Sequence, residues 1–288
     1  MKRRLAVVAM ALVLAACGST SGSDSGSGGG SGGGTGRVKG GFIQVAQSGR
    51  EVGPAVVYTS VVSTGFIEVD GVVGLPAFCD GGTEGSCSWT SCGRPDAGTS
   101  ADAGLTIDSS AGDVTVSGLG VDGGAVTLRW NTTTMKYESF AAANSGPLFT
   151  GGETLTASAP GDTVPAFTQT VTAPSRVTVT QPACLSGGCG ALDRSTPYRV
   201  NWSGGTQGTV TVTLFGNDGT NSIGVSCTAT AAAGTLSVPT SLLAHLPGSS
   251  MASLSVATTN ETAFSAGDWA TKFTARDTAV SGTVTTSP

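Results

Sequence analysis

Apolar and polar residues alternate with a period of two along most of this chain, a rhythm that suits strands buried on one face and excludes long amphipathic helices. Residues 55–62 (AVVYTSVV), 113–117 (DVTVS) and 126–131 (VTLRWN) read as strands in the first half. In the second half the same pattern recurs at 176–180, 198–203, 209–215, 223–229, 235–238, 252–258, 272–276 and 280–285. Turn formers such as Gly204-Gly205, Asn217-Asp218-Gly219 and Asn260-Glu261 separate them at intervals of roughly 8–12 residues. No segment holds a 3.6-residue apolar repeat for three turns. One helical turn is expected at 240–246, introduced by Pro239 in the first turn and closed by Pro247-Gly248. The pattern predicts an all-β chain built as an antiparallel β-sandwich.

A boundary is expected at Thr172-Ala173-Pro174-Ser175, because Pro174 cannot continue a ladder. It divides the folded part into a β-rich domain with a cysteine cluster, residues 40–174, and a β-sandwich domain of immunoglobulin-like size, residues 175–288. A single β unit with shared sheets is the alternative. Within it, Trp130, Trp202, Phe215 and Phe273 are expected to pack in the core.

Ahead of these strands, Met1-Lys2-Arg3-Arg4 and an apolar run from Leu5 to Ala16 lead into Leu14-Ala15-Ala16-Cys17. The run is too short to span a bilayer as a helix. It resembles a bacterial lipoprotein signal with its lipobox, which implies a signal peptide over 1–16 and lipidation of Cys17. Residues 17–39 then carry the lipidated cysteine and a Gly/Ser linker, whose stretch 18–36 cannot bury apolar surface and is expected to be a flexible tether spanning roughly 25 Å. Gly18 in place of an aspartate after the cysteine implies, by the same resemblance, placement in the outer membrane. The tether, the Gly/Thr-rich β composition and phrases such as Gly161-Asp162-Thr163-Val164-Pro165-Ala166-Phe167 are similar to uncharacterised lipoproteins of myxobacteria, a resemblance that carries no activity.

Charge is sparse, at 11% of residues against 45 glycines. Loss of Lys2, Arg3 and Arg4 with the signal leaves 11 basic against 19 acidic residues, a net charge of −8. Such a surface does not attract nucleic acid or anionic head groups. The expected partners are the membrane, through the lipid anchor, and an envelope protein or glycan.

Besides Cys17, six cysteines remain in an expected oxidising compartment: Cys79, Cys87, Cys92, Cys184, Cys189 and Cys227. They are disulfide candidates. Cys184 with Cys189 is the favoured pair, because the four residues between them can fold back. Each cluster has its own staple if Cys87 pairs with Cys92 or Cys79, leaving Cys227 and one first-cluster cysteine joined across the halves or buried as free thiols. Zinc wants four Cys or His ligands, and His245 is the one histidine of the chain, so no metal or cofactor is expected. Asp80-Gly81-Gly82-Thr83-Glu84 and Asn217-Asp218-Gly219 read as loop and turn residues in preference to calcium ligands. Asp96 and Asp102 read as turn formers too.

No nucleophile elbow, phosphate loop or zinc-protease motif occurs, and His245 sits in an apolar turn, so the chain is not expected to be an enzyme. Trp89, between Cys87 and Cys92 in what reads as a Gly-rich loop, is expected to cap the local core, and as a rigid amphipathic ring it is the leading candidate contact for a sugar or a partner's pocket. A lipid-anchored hydrolase of cell-wall or external polysaccharide is the competing expectation, and two facing acids would mark it.

Overall fold

A computed structural model describes residues 37–52, 55–70, 79–93, 106–121, 123–184, 188–248 and 251–287, all within one compact unit. The expected signal, Cys17 and the 18–36 tether lie outside the described residues, as do Asp96 and Asp102. In chain order the first strands are β1 (Arg37–Val52), β2 (Ala55–Asp70), β3 (Cys79–Glu84), β4 (Cys87–Gly93), β5 (Thr106–Asp108), β6 (Val114–Ser117), β7 (Ala125–Leu128), β8 (Trp130–Asn131), β9 (Lys136–Tyr137) and β10 (Phe140–Ser145). There follow β11 (Thr154–Ala159), β12 (Phe167–Thr172), β13 (Thr178–Gln181), β14 (Gly188–Asp193), β15 (Tyr198–Ser203), β16 (Thr209–Asn217), β17 (Asn221–Thr230), β18 (Thr235–Val238), the helical turn α1 (Thr240–Leu243), β19 (Met251–Ala266) and β20 (Trp269–Ser287). The chain is all-β, as its alternation requires.

One long sheet runs β10-β2-β1-β20-β19-β16-β17-β4-β3, with β14 also on β20 and β5 also on β2. Two smaller sheets, β12-β11-β6-β7 and β13-β15-β18, pack on it. The first core forms where Ile43, Val45, Val62, Phe66 and Phe273 of the long sheet meet Val114, Val116, Leu128, Leu155 and Val171 of the four-stranded one. In the second, Val210, Val212, Leu214, Val225 and Leu254 meet Val200, Trp202, Leu236 and Val238, with Leu242, Leu243 and Leu246 closing one end. Side chains of this size contribute about 1.5–3 kcal/mol each on burial. β19 enters both cores with even-numbered residues, Ala252, Leu254 and Val256 in one and Ala266 in the other. Since alternate residues of a strand share a face, both small sheets cover the same side of the long one.

The passage between cores falls at residues 173–177, with Ala173 closing the first and Val177 opening the second. The sheet itself crosses that line. β19 and β20 serve both cores, and the β3–β4 hairpin from the first half contributes Cys87 and Trp89 to the second. At the meeting line the inward row of the long sheet is polar: register sets Ser60 beside Gln47, Gln47 beside Asp277, and Asp277 beside Thr258. All four are at most 3% exposed.

Several expectations need correction. The long sheet is not purely antiparallel, because β1 and β14 both lie parallel to β20. Asn260 and Glu261 sit inside β19, and its hairpin turn is at Gly267–Asp268, where glycine takes a φ of 62°. Asp80–Glu84 belongs to β3 instead of a loop. Phe215 is 41% exposed because it alternates out of phase with Val212 and Leu214, and Trp130 is half-buried, whereas Trp202 and Phe273 are in the cores. Trp269, not singled out from sequence, is 1% exposed and packs edge-on against Phe66. The helical turn lies at Thr240–Leu243 with Pro239 as its N-cap, one place earlier than a first-turn residue.

Candidate functional site

The six cysteines of the described region form three disulfides, Cys79–Cys92, Cys87–Cys227 and Cys184–Cys189. Cys184 pairs with Cys189 as its short spacing suggests. Cys87 pairs with neither Cys79 nor Cys92. The turn at Gly85-Ser86 sets the β3–β4 register with Cys79 opposite Cys92, and β4 then pairs with β17 so that Cys87 meets Cys227. Cys87 and Cys92 differ by five residues, an odd number, so they leave β4 on opposite faces and cannot reach each other. The joining of Cys227 to a first-cluster cysteine is one of the two outcomes expected for it.

The same parity places Trp89. It stands two residues from Cys87 and so shares the inward face, on a strand and not in a loop. Its register partners are Gly82 on β3 and Val225 on β17. A Cβ at Gly82 would come within 2.8 Å of the indole Nε1, so the absent side chain there is the room the ring occupies. The His245 ring lies against the indole with centroids 3.7 Å apart and 12° between planes. Ser241, in α1, donates its hydroxyl hydrogen to the Glu84 carboxylate. Indole and carboxylate together dock the hairpin on the helical turn.

Trp89 is therefore half-buried with one face covered by a histidine ring, which removes it as a free stacking platform on that side. His245 is exposed, with its ring on the indole. Among the described residues every cysteine is bonded, so none offers a thiolate. Also among the described residues, no three His, Cys, Asp or Glu side chains cluster as metal ligands, and no helix is long and apolar enough to cross a membrane. At the β16–β17 turn the Asn217 side-chain oxygen Oδ1 accepts from the Gly219 N–H, and the Asp218 carboxylate accepts from the N–H groups of Asn221 and Thr220, which lowers its pKa. Those oxygens close a hairpin.

A second polar constellation was not read from sequence. Gln47 donates to the Asp277 carboxylate at 2.7 Å and to the Phe149 carbonyl at 2.9 Å, while its own oxygen accepts from Leu148 N–H at 2.7 Å. Arg176 donates to the other Asp277 oxygen at 2.9 Å and to the Gly49 carbonyl at 3.0 Å, and its guanidinium lies 5.5 Å from the Tyr58 ring centre. Burial raises the Asp277 pKa above the usual 3.8, and Gln47 and Arg176 offset part of that rise. The signal was present in the pattern: Gln47 follows Ile43 and Val45, and Asp277 follows Phe273 and Ala275, each a polar residue at an inward position. Ser60 Oγ and Thr258 Oγ1, at the two ends of this row, are buried with no hydrogen-bond partner among the described residues. No family model, curated protein or solved structure matches this chain.

Proposed function

We propose that this chain is a bacterial envelope lipoprotein, held on a membrane by acyl chains on Cys17, whose β body has a non-catalytic structural or binding role. The complete pairing of the six cysteines beyond Cys17 carries this reading, because disulfides persist in exported proteins and are rare in reducing compartments. It agrees with the basic and apolar residues ahead of Leu14-Ala15-Ala16-Cys17, and Gly18 favours the outer membrane. The buried acid Asp277 is committed to Gln47 and Arg176, which argues for support of the fold over acid–base work. Acyl chains contribute about 0.8 kcal/mol per buried methylene, and more than one chain is needed for stable anchoring.

The test is export of the Cys17→Ala chain followed by detergent phase partition. The native chain is expected in the detergent phase and the variant in the soluble phase. A variant that stays with the membrane overturns the anchoring.

A further inference from the structure

The outer edge of β2 has a gap. Its register with β10 reaches Val62, its register with β5 begins at Ile67, and Ser109 N–H donates to the Phe66 carbonyl at 2.9 Å, so among the described residues nothing pairs with residues 63–65 on that side. A half-open hollow of about 160 Å³ lies there. Phe42, Trp130 and Tyr137 form aromatic parts of its wall, Gly65 lies among them, and Asp108 and Lys136 add one charge of each sign. We propose that this hollow is a binding subsite for one sugar residue of a neutral glycan.

Three observations carry it. First, the rings are held in place before any ligand arrives. Trp130 meets Tyr137 edge-on with centroids 5.0 Å apart, and the Tyr137 hydroxyl accepts from Ala111 N–H at 2.7 Å and donates to the Gly112 carbonyl at 2.9 Å. The Phe42 ring lies across Gly65, where a Cβ would come within 2.8 Å of it. A sugar ring has apolar C–H faces that pack on such rings and hydroxyl edges that must be hydrogen-bonded.

Second, three polar groups at the hollow are free, while the Thr64 hydroxyl donates to the Phe42 carbonyl at 2.8 Å. Among the described residues neither the Asp108 nor the Lys136 side chain has an ion pair or hydrogen bond, and the Trp130 indole N–H has no acceptor. A hydroxyl both donates and accepts, so it satisfies carboxylate, ammonium and indole alike. An ionic ligand would be attracted by one charge and repelled by the other.

Third, the gap is closed at both ends by β10 and β5. An extended peptide adding itself to β2 would find three residues of edge and no exit, whereas a compact ring fits between the flanking strands.

The proposal rests on the binding role given above and is tested apart from it. The full chain, purified from membranes in detergent, is titrated with chitotetraose, cellotetraose and maltotetraose and followed by saturation-transfer NMR. At least one sugar is expected to receive saturation. Its affinity is expected to fall at least tenfold in Trp130→Ala and several-fold in Lys136→Ala and Asp108→Asn, with Trp130→Phe largely restoring it. Lys136 is exposed, so its variant keeps the fold and answers if Trp130→Ala does not. No transfer to any of the three sugars, or transfer unchanged in Lys136→Ala and Asp108→Asn, overturns the subsite and leaves the anchored lipoprotein standing. Binding of a Val/Thr heptapeptide with no sugar binding overturns it in favour of strand addition. Cleavage of a sugar bound at this hollow would support the subsite and overturn the non-catalytic role.

Discussion

Arg176 and Asp277 are ion-paired at 2.9 Å where the two cores meet, although 101 residues separate them in sequence. Arg176 comes from the segment that leaves the first core and Asp277 from β20, the strand shared by both. Gln47 completes the link from β1. The pair ties together the two halves of a sheet whose inward row is polar at this line.

Removal of Arg176 leaves a carboxylate that is 2% exposed, with Gln47 its one remaining hydrogen-bonding side chain among the described residues. Arg176→Ala is therefore expected to lower stability by about 3 kcal/mol, the lower end of the cost of losing one partner of a buried pair, because the arginine itself is 26% exposed. Urea denaturation of the two proteins measures it. A change within about 0.5 kcal/mol would mean that the pair does not join the cores.

The Asp277 carboxyl sets one pH step in stability. Its folded pKa lies above the unfolded value of 3.8, so between the two the native chain holds a proton that the unfolded chain releases. Its contribution is fully present below 3.8 and is lost as pH rises through the raised value. Asp193, Asp218 and Asp268 are shifted downward and act in the opposite sense, losing their contribution as pH falls through their folded values. The difference between the native chain and Asp277→Asn isolates the first effect: relative to the variant, the native chain is expected to be more stable at the acid end of the window than at neutral pH. A difference that is flat with pH rules this out.

Loop length ranks the disulfides. Cys87–Cys227 joins positions 140 apart in sequence and Cys184–Cys189 positions 5 apart. Chain-entropy arithmetic assigns about 5 kcal/mol to the first and about 2 kcal/mol to the second. Paired replacement by alanine, with thermal unfolding as readout, should show the larger loss for Cys87/Cys227. The reverse order would show that strain or residual unfolded structure dominates.

The stack of His245 on Trp89 is expected to contribute about 0.5–1.5 kcal/mol. His245→Ala should uncover one indole face and move tryptophan emission to the red. Gly82→Ala should cost more, because its methyl group would occupy the position now 2.8 Å from the indole Nε1. Equal melting temperatures for Gly82→Ala and the native chain would contradict that placement of the ring.

Much of the strand inventory was legible because alternation is local: residues 198–203 and 235–238 are strands to the residue, and residues 209–215 and 223–229 fall inside β16 and β17. The Cys184–Cys189 bridge and the helical turn after Pro239 were legible for the same reason, since each depends on residues a few positions apart. The misreading of Phe215 was avoidable, given that Val210, Val212 and Leu214 define the inward phase of β16 and Phe215 stands outside it. For Trp89 the glycines of β3 suggested a loop, yet Gly82 is there to make room for the indole.

What local pattern left open was partner choice. A strand's alternation says which side chains share a face and nothing about which strand lies beside it, so the parallel pairing of β1 with β20 and the pairing of Cys87 with Cys227 were decided by the folded sheet. The meeting of Gln47, Arg176 and Asp277, and the hollow among Phe42, Trp130 and Tyr137, arise from segments about 90–230 residues apart. The sequence by itself determined that this chain is all-β, where many strands of its second half lie and which cysteines have a near neighbour, because backbone sterics and side-chain alternation act over a few residues; β1, β3, β4 and β14 were not read from it. The tertiary structure alone decided strand order, the joining of two cores on one sheet and the hollow at the edge of β2, because those depend on which distant apolar surfaces bury one another.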